Sequence, residues 1–136
     1  MNRVIAFIWV FVLLTVNLTA QVGNNKIREG NADFNSGKYD LAEKKYLQSL
    51  EQNPHSDIAT YNLGNSYYRQ EKYKEAASIY EEIGKRAVNK QDKSKAYHNL
   101  GNALLKDNQL QPAIDAYKRA LINNPYDEDT RYNLSL

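Results

Sequence analysis

YNLGN at residues 61–65 returns as HNLGN at 98–102 and again as YNLSL at 132–136, where a serine replaces the glycine. A glycine inside a helix costs about 1 kcal/mol relative to alanine, so its return in one register demands a compensating contact. The rest of the chain keeps the same time. Gly30, Gly64 and Gly101 lie 34 and 37 residues apart, as do Ala42, Ala76 and Ala113, and Tyr46, Tyr80 and Tyr117. Pro54 and Pro125 are 71 apart, the same double interval, with Val88 in the middle place. Four columns in one register define an internal repeat.

The pattern predicts an A helix in each unit over Asn24 to Asn35, Asp57 to Gln70 and Ser94 to Asp107. A short turn (SGK, EK or NQ) follows each, and then a B helix. Gly30 beside Ala42, Gly64 beside Ala76 and Gly101 beside Ala113 would let the two helices of a hairpin approach closely. Pro54 and Pro125 stop helix B, and HSD and YDED supply caps and early acidic residues for the next helix. The middle unit has no proline, so its helix B is expected to run on through GKRAVNK, with three extra residues between Gly84 and Lys93. The basic residues there (Lys85, Arg86, Lys90, Lys93 and Lys95, against Asp92) read as a solvated helix extension and loop.

One ordinary domain fits in 136 residues. Eleven tyrosines against three phenylalanines and one tryptophan make half-buried elements the expectation, with rings packed and hydroxyls reaching water. A net charge of +2 does not steer the chain to nucleic acid. The absence of cysteine removes disulfides, thiolate catalysis and thiolate metal sites together.

Arg3 precedes an unbroken apolar run from Val4 to Leu14, then TVNLTA and the hydrophilic remainder from Gln21. That order predicts a signal peptide over residues 1–20, cut after Ala20, although Leu18 is larger than the residue preferred two places earlier. An uncleaved anchor stays open, but the apolar run falls short of the roughly 20 residues a spanning helix needs.

GNADFNSGKYDLAEKKYLQSLEQNP, GNSYYRQEKYKEAASIYEEI and GNALLKDNQLQPAIDAYKRALINNP resemble tetratricopeptide repeats (TPR). Counted from Gly23, Asp57 and Ser94, they place Gly at position 8, Ala at 20, Tyr at 24 and Ser49, Ile83 and Ala120 at 27, with proline at 32 in the outer two units. Glu29 and Ile83 depart from the family pattern. The resemblance implies an all-α fold, a right-handed superhelical solenoid of three helix-turn-helix units plus the first helix of a fourth or a capping helix. The TPR domain spans 23–136, in units 23–56, 57–93 and 94–127 with a partial unit 128–136.

In that family one stripe of the A helices lines a concave groove that holds an extended peptide or partner helix. Here it implies a partner-binding groove of Asn31, Tyr61, Asn62, Asn65, Arg69, Lys95, His98, Asn99, Asn102 and Asn133. Position 9 is asparagine in all three units and position 6 in the second, third and fourth. Two readings stay open: the column satisfies the backbone amides of a bound peptide, or it bonds neighbouring helices across the stack. The family's chaperone-tail clamp resembles Asn31, Asn62 and Lys95, but Ile27 and Asn99 fail its two other places, which argues against capture of a C-terminal carboxylate by that clamp. His55 and His98 have no second histidine, cysteine or carboxylate pair at ligand or acid–base spacing, and no nucleophile motif is present.

The expectation is therefore a non-enzymatic interaction module or scaffold without cofactor or metal. Its partner would be a protein or an extended peptide, a membrane protein complex among them, rather than nucleic acid or a small-molecule substrate. It would be exported, to the periplasm or the outer face of the bacterial inner membrane. A membrane-anchored assembly factor and the regulatory region of a longer enzyme remain as alternatives. NPYDEDTRYNL after a signal peptide resembles the exported TPR members of bacterial aerotolerance (Bat) operons.

Overall fold

The computed structural model describes residues 21–135. Those residues form seven α-helices and no strand: α1 over 21–35, α2 Tyr39–Gln52, α3 Asp57–Arg69, α4 Tyr73–Arg86, α5 Lys90–Lys106, α6 Leu110–Asn123 and α7 Glu128–Ser135. The leader and anchor readings of residues 1–20 lie outside the described residues. Two compact units divide between Ala59 and Thr60, in the first turn of α3.

Each A helix ends the same way. Gly37, Glu71 and Asn108, one register apart, take the left-handed conformation at φ 77°, 61° and 60°. The amides that follow bond back into the helix, from Lys38 to Asp33 (2.9 Å), Lys72 to Tyr67 (2.9 Å) and Gln109 to Leu104 (2.8 Å). This closure satisfies otherwise orphaned carbonyls and reverses the chain within three residues. Only the first unit supplies the glycine that conformation favours.

The starts of α3 and α7 are side-chain capped. Ser56 Oγ accepts from the Ala59 amide at 3.3 Å and Asp127 Oδ1 from the Thr130 amide at 3.1 Å. The middle unit departs from expectation. Helix α4 does not run through GKRAVNK but stops at Arg86, because Ala87 turns extended (φ −57°, ψ 136°). The extra residues instead lengthen the next helix, which starts at Lys90 rather than Ser94. Asn89 caps it, its side chain accepting from the Asp92 amide at 2.8 Å. The cap supplies an acceptor for one of the first-turn amides that a helix starting at Lys90 would otherwise leave without a partner. Lys85 and Arg86 pair with Glu81 and Glu82 one turn back on α4, at 3.0 and 2.9 Å.

In the first unit, α1 and α2 form an antiparallel hairpin. Ser49 Oγ donates to the Gly23 carbonyl at 2.9 Å, and Lys45 pairs with Glu29 at 2.7 Å. The unit from Thr60 onward stacks α4, α5 and α6 through a core of Ala76, Ala77, Tyr80, Tyr97, Leu100, Ala103, Ala116 and Ala120. Alanine at so many core positions holds the axes close, and tyrosine rings supply the area that alanine lacks.

The glycine column has a partner, though not the predicted one. The atoms that a Cβ would meet belong to tyrosine rings rather than to the facing alanines. For Gly30 the Tyr46 ring lies 2.7 Å away, and for Gly101 the Tyr117 ring lies 2.4 Å away. At Gly64 the Ile79 Cγ2 (2.9 Å) and the Tyr80 ring (3.0 Å) share the space. The tyrosine is the bulkier body, so it, and not a backbone-to-backbone touch, fixes the need for glycine. Gly84, outside the repeat columns, does the same for Tyr97 at 2.5 Å.

Candidate functional site

The same tyrosines explain the asparagine that follows each glycine. Tyr46, Tyr80 and Tyr117 donate to Oδ1 of Asn31, Asn65 and Asn102, each at 2.7 Å and each across 15 residues of sequence. Position 9 therefore serves its own hairpin first. Neither reading from sequence had placed the bond there, yet the signal was available, since Asn at 9 and Tyr at 24 occur together in every unit. Burial pushes the phenols up: Tyr46 to about 12, and Tyr80 and Tyr117 in the same direction.

Within the unit from Thr60, the structure gathers the predicted residues of α3, α5 and α7 on the A-helix face. Asn99 Nδ2 donates to Tyr61 Oη at 2.5 Å, and the Tyr61 ring meets Tyr80 edge-on at 6.0 Å. Burial raises the Tyr61 phenol, partly offset by the Asn99 bond. At the other end, Asn102 is fully engaged. Its Oδ1 accepts from Tyr117 and, at 3.0 Å, from Asn133 Nδ2, and its Nδ2 faces His98 Nε2 at 3.0 Å. With the amide nitrogen donating to Nε2, His98 carries its proton on Nδ1 and donates it to Thr130 Oγ1, 2.6 Å away. Thr130 is fully buried, and sequence reasoning missed it: nothing about a lone threonine in α7 marks it as the anchor of a histidine.

The two ends of this face thus differ chemically. Toward α7, Asn102, His98 and Asn133 consume one another. Toward α3, groups remain. Among the described residues no partner takes the amide nitrogen of Asn65, the amide oxygen of Asn99 or the ammonium of Lys95. The Tyr61 hydroxyl accepts from Asn99 and keeps its own proton to give. Asn62 and Arg69 stand on the same helix, half-buried and exposed, and Lys95 is exposed on α5. Asn31 belongs to α1 in the first unit, where its side chain is exposed.

No group of three histidine or acidic side chains among the described residues is close enough to hold a metal ion. Among the same residues no helix is long and apolar enough to cross a membrane.

Antiparallel hairpins repeated in one register, with a shared ring-over-glycine contact, define a helical repeat protein. Residues 27–89 and 94–127 match the tetratricopeptide repeat. The chain belongs to the tetratricopeptide repeat family. RNA polymerase II-associated protein 3 of Xenopus laevis is 31% identical over 93 residues, which make up 68% of this chain and 14% of that protein. The chain therefore spans a small part of that relative's length. The N-terminal domain of stress-induced protein-1 from C. elegans superposes with a TM-score of 0.76 at 21% identity, covering 86% of this chain and 94% of that one. The first TPR domain of Spaghetti (RPAP3), solved bound to the HSP90 peptide SRMEEVD, gives a TM-score of 0.74 at 27% identity, covering 85% of this chain and 90% of that one.

Proposed function

We propose that this chain is a non-enzymatic interaction module whose A-helix face holds an extended segment of a partner protein. The observation that carries the reading is the α3–α5 end of that face. An extended peptide offers a carbonyl and an N–H at each residue, and Asn65 Nδ2 and Asn99 Oδ1 present the complementary donor and acceptor. Tyr61 and Lys95 add a hydroxyl donor and a positive charge, which favour a segment carrying acceptor or acidic side chains. Similarity to a TPR domain solved with a bound peptide supports the same class of partner. Asn99 bonds Tyr61 where the chaperone-tail clamp needs a cation, so the segment is held along its length rather than by its terminal carboxylate.

Export belongs to the proposal too. It rests on Arg3, the apolar run Val4 to Leu14 and Ala20, and it puts the module in the periplasm or at the outer face of the inner membrane. The resemblance of NPYDEDTRYNL to exported aerotolerance-operon members supports a membrane protein complex as the partner.

Selection from a random dodecapeptide display library, followed by amide shift mapping, tests the binding reading. Enriched peptides are expected to move the amides around Tyr61, Asn65 and Asn99, and Asn99→Ala and Lys95→Ala are each expected to weaken them about 5- to 10-fold without loss of helicity. Peptides that bind both variants as well as the parent chain would overturn it. For export, a mature terminus at Gln21 by mass spectrometry is the expected result, and an intact Met1 on the exported protein would rule out cleavage.

A further inference from the structure

On the face formed by the B helices, between α4 and α6, lies a cavity of about 320 Å³, near the lower bound for small-ligand sites. It exists because of local sequence. Helix α4 carries Ala77 and Ser78 at the places where α2 carries Glu43 and Lys44, and α6 sets Pro112 and Ala116 opposite. These short side chains leave Leu104 of α5 half-exposed at the bottom of the cavity, with the buried Leu100 beneath it.

The two walls carry charge of unequal availability. On α4, Glu81 is neutralised by Lys85 at 3.0 Å and approached by Arg119 at 3.9 Å. Arg119 is itself committed: its guanidinium lies 3.9 Å over the Tyr97 ring and donates to Tyr97 Oη at 2.7 Å. On α6, Asp115 has only a long contact from Gln111 Nε2, at 3.4 Å, and forms no ion pair among the described residues. The cavity thus offers the half-exposed Leu104 beside one carboxylate that has no ion pair among the described residues.

We infer that this cavity is a second protein-docking site, independent of the A-helix face. Its occupant is a partner segment that inserts one arginine or lysine beside one aliphatic residue. The aliphatic stem of the basic side chain lies along Pro112, its charged head pairs with Asp115, and the neighbouring aliphatic residue packs on the half-exposed Leu104. The volume suits two such side chains, and complementarity to Asp115 selects the positive one.

The test uses the blocked dipeptide Ac-Arg-Leu-NH2 and its neutral isostere Ac-citrulline-Leu-NH2, titrated into the whole chain while backbone amide shifts are followed. The expected result is millimolar binding of the arginine probe, with shifts at Ala77, Leu100, Leu104 and Ala116 and none at Asn65 or Asn99. The citrulline probe and Asp115→Asn are each expected to lose at least about fivefold in affinity, and raised salt is expected to weaken the arginine probe. Equal binding of both probes would overturn the basic occupant in favour of a purely apolar one. Concentration-dependent shifts at these residues without any probe would assign the site to a second copy of the chain. Shifts confined to the A-helix face would show that the cavity is not a site, whatever becomes of the function proposed for that face. Asp115 is exposed, so Asp115→Asn is expected to keep the parent helicity, and a fold loss there would count against the arrangement described.

Discussion

Replacing Gly101 by alanine sets two effects of known sign against each other. In an open helix the change is favourable by about 1 kcal/mol, because alanine is the better helix former. Here the new Cβ would stand 2.4 Å from Tyr117 Cε1, 2.5 Å from Cδ1 and 2.9 Å from Cζ. The ring is 2% exposed and tied by its hydroxyl to Asn102, so it has no empty space to enter. Overpacking of this kind costs about 1–3 kcal/mol, and moving the ring enough to break its hydrogen bond adds about 1 kcal/mol. The net expectation is a loss of about 1–3 kcal/mol, read as a lower urea midpoint at unchanged slope by circular dichroism. In a Tyr117→Ala background the obstruction is gone, and Gly101→Ala should stabilise by up to about 1 kcal/mol. The nearest approach is longer at Gly30 (2.7 Å) and longest at Gly64 (2.9 Å), so the losses should rank in the order Gly101, Gly30, Gly64. If Gly101→Ala raises stability in the parent chain, the account of the NLGN string is wrong.

Asn102→Ala should cost more than Asn65→Ala, about 2–3 against about 1 kcal/mol in urea unfolding, since it strips partners from Tyr117, Asn133 and His98 where the other strips only Tyr80. Glu71→Gly should stabilise by up to about 1 kcal/mol, because Glu71 holds φ 61° in an exposed turn, and a neutral or negative result in thermal melts would place the turn's restraint elsewhere. Above pH 10 the fold should weaken. Tyr46, Tyr80 and Tyr117 resist ionisation when folded, so the stability they confer is complete below the ordinary phenol value near 10 and is lost as pH rises toward and through about 12. Absorbance at 295 nm should show these phenols ionising together with loss of helicity, and ionisation at intact helicity would contradict their burial.

Much of the architecture was legible because repetition multiplies weak local signals. One glycine in a helix says little, but three in register with alanine, tyrosine and proline columns fixed the hairpins and their order. The error at GKRAVNK came from reasoning by a missing stop signal. Proline's absence does not make a helix continue when Asn89 offers the next helix a better start. The glycine partner was misjudged because the smallest facing residue was chosen, when a buried ring needs the space more. The candidate groove residues were legible as a stripe, but their division into engaged and available was not. That division depends on Asn133 of α7, whose bond to Asn102 across 31 residues follows the asparagine column, and on Thr130, whose contact with His98 across 32 residues leaves no periodic trace.

The bond from each tyrosine to the asparagine beside each glycine closes a loop of only 15 residues. Loops of that size close in well under a microsecond, and the entropy lost in closing them is small beside that of a long-range pairing. Each hairpin therefore carries its own locally wired nucleus, and folding can begin at any of the three without waiting for distant segments to meet. A chain built this way is expected to fold fast for its length. It can also acquire or lose a hairpin in the course of its history without having to reinvent how the remaining ones find their shape.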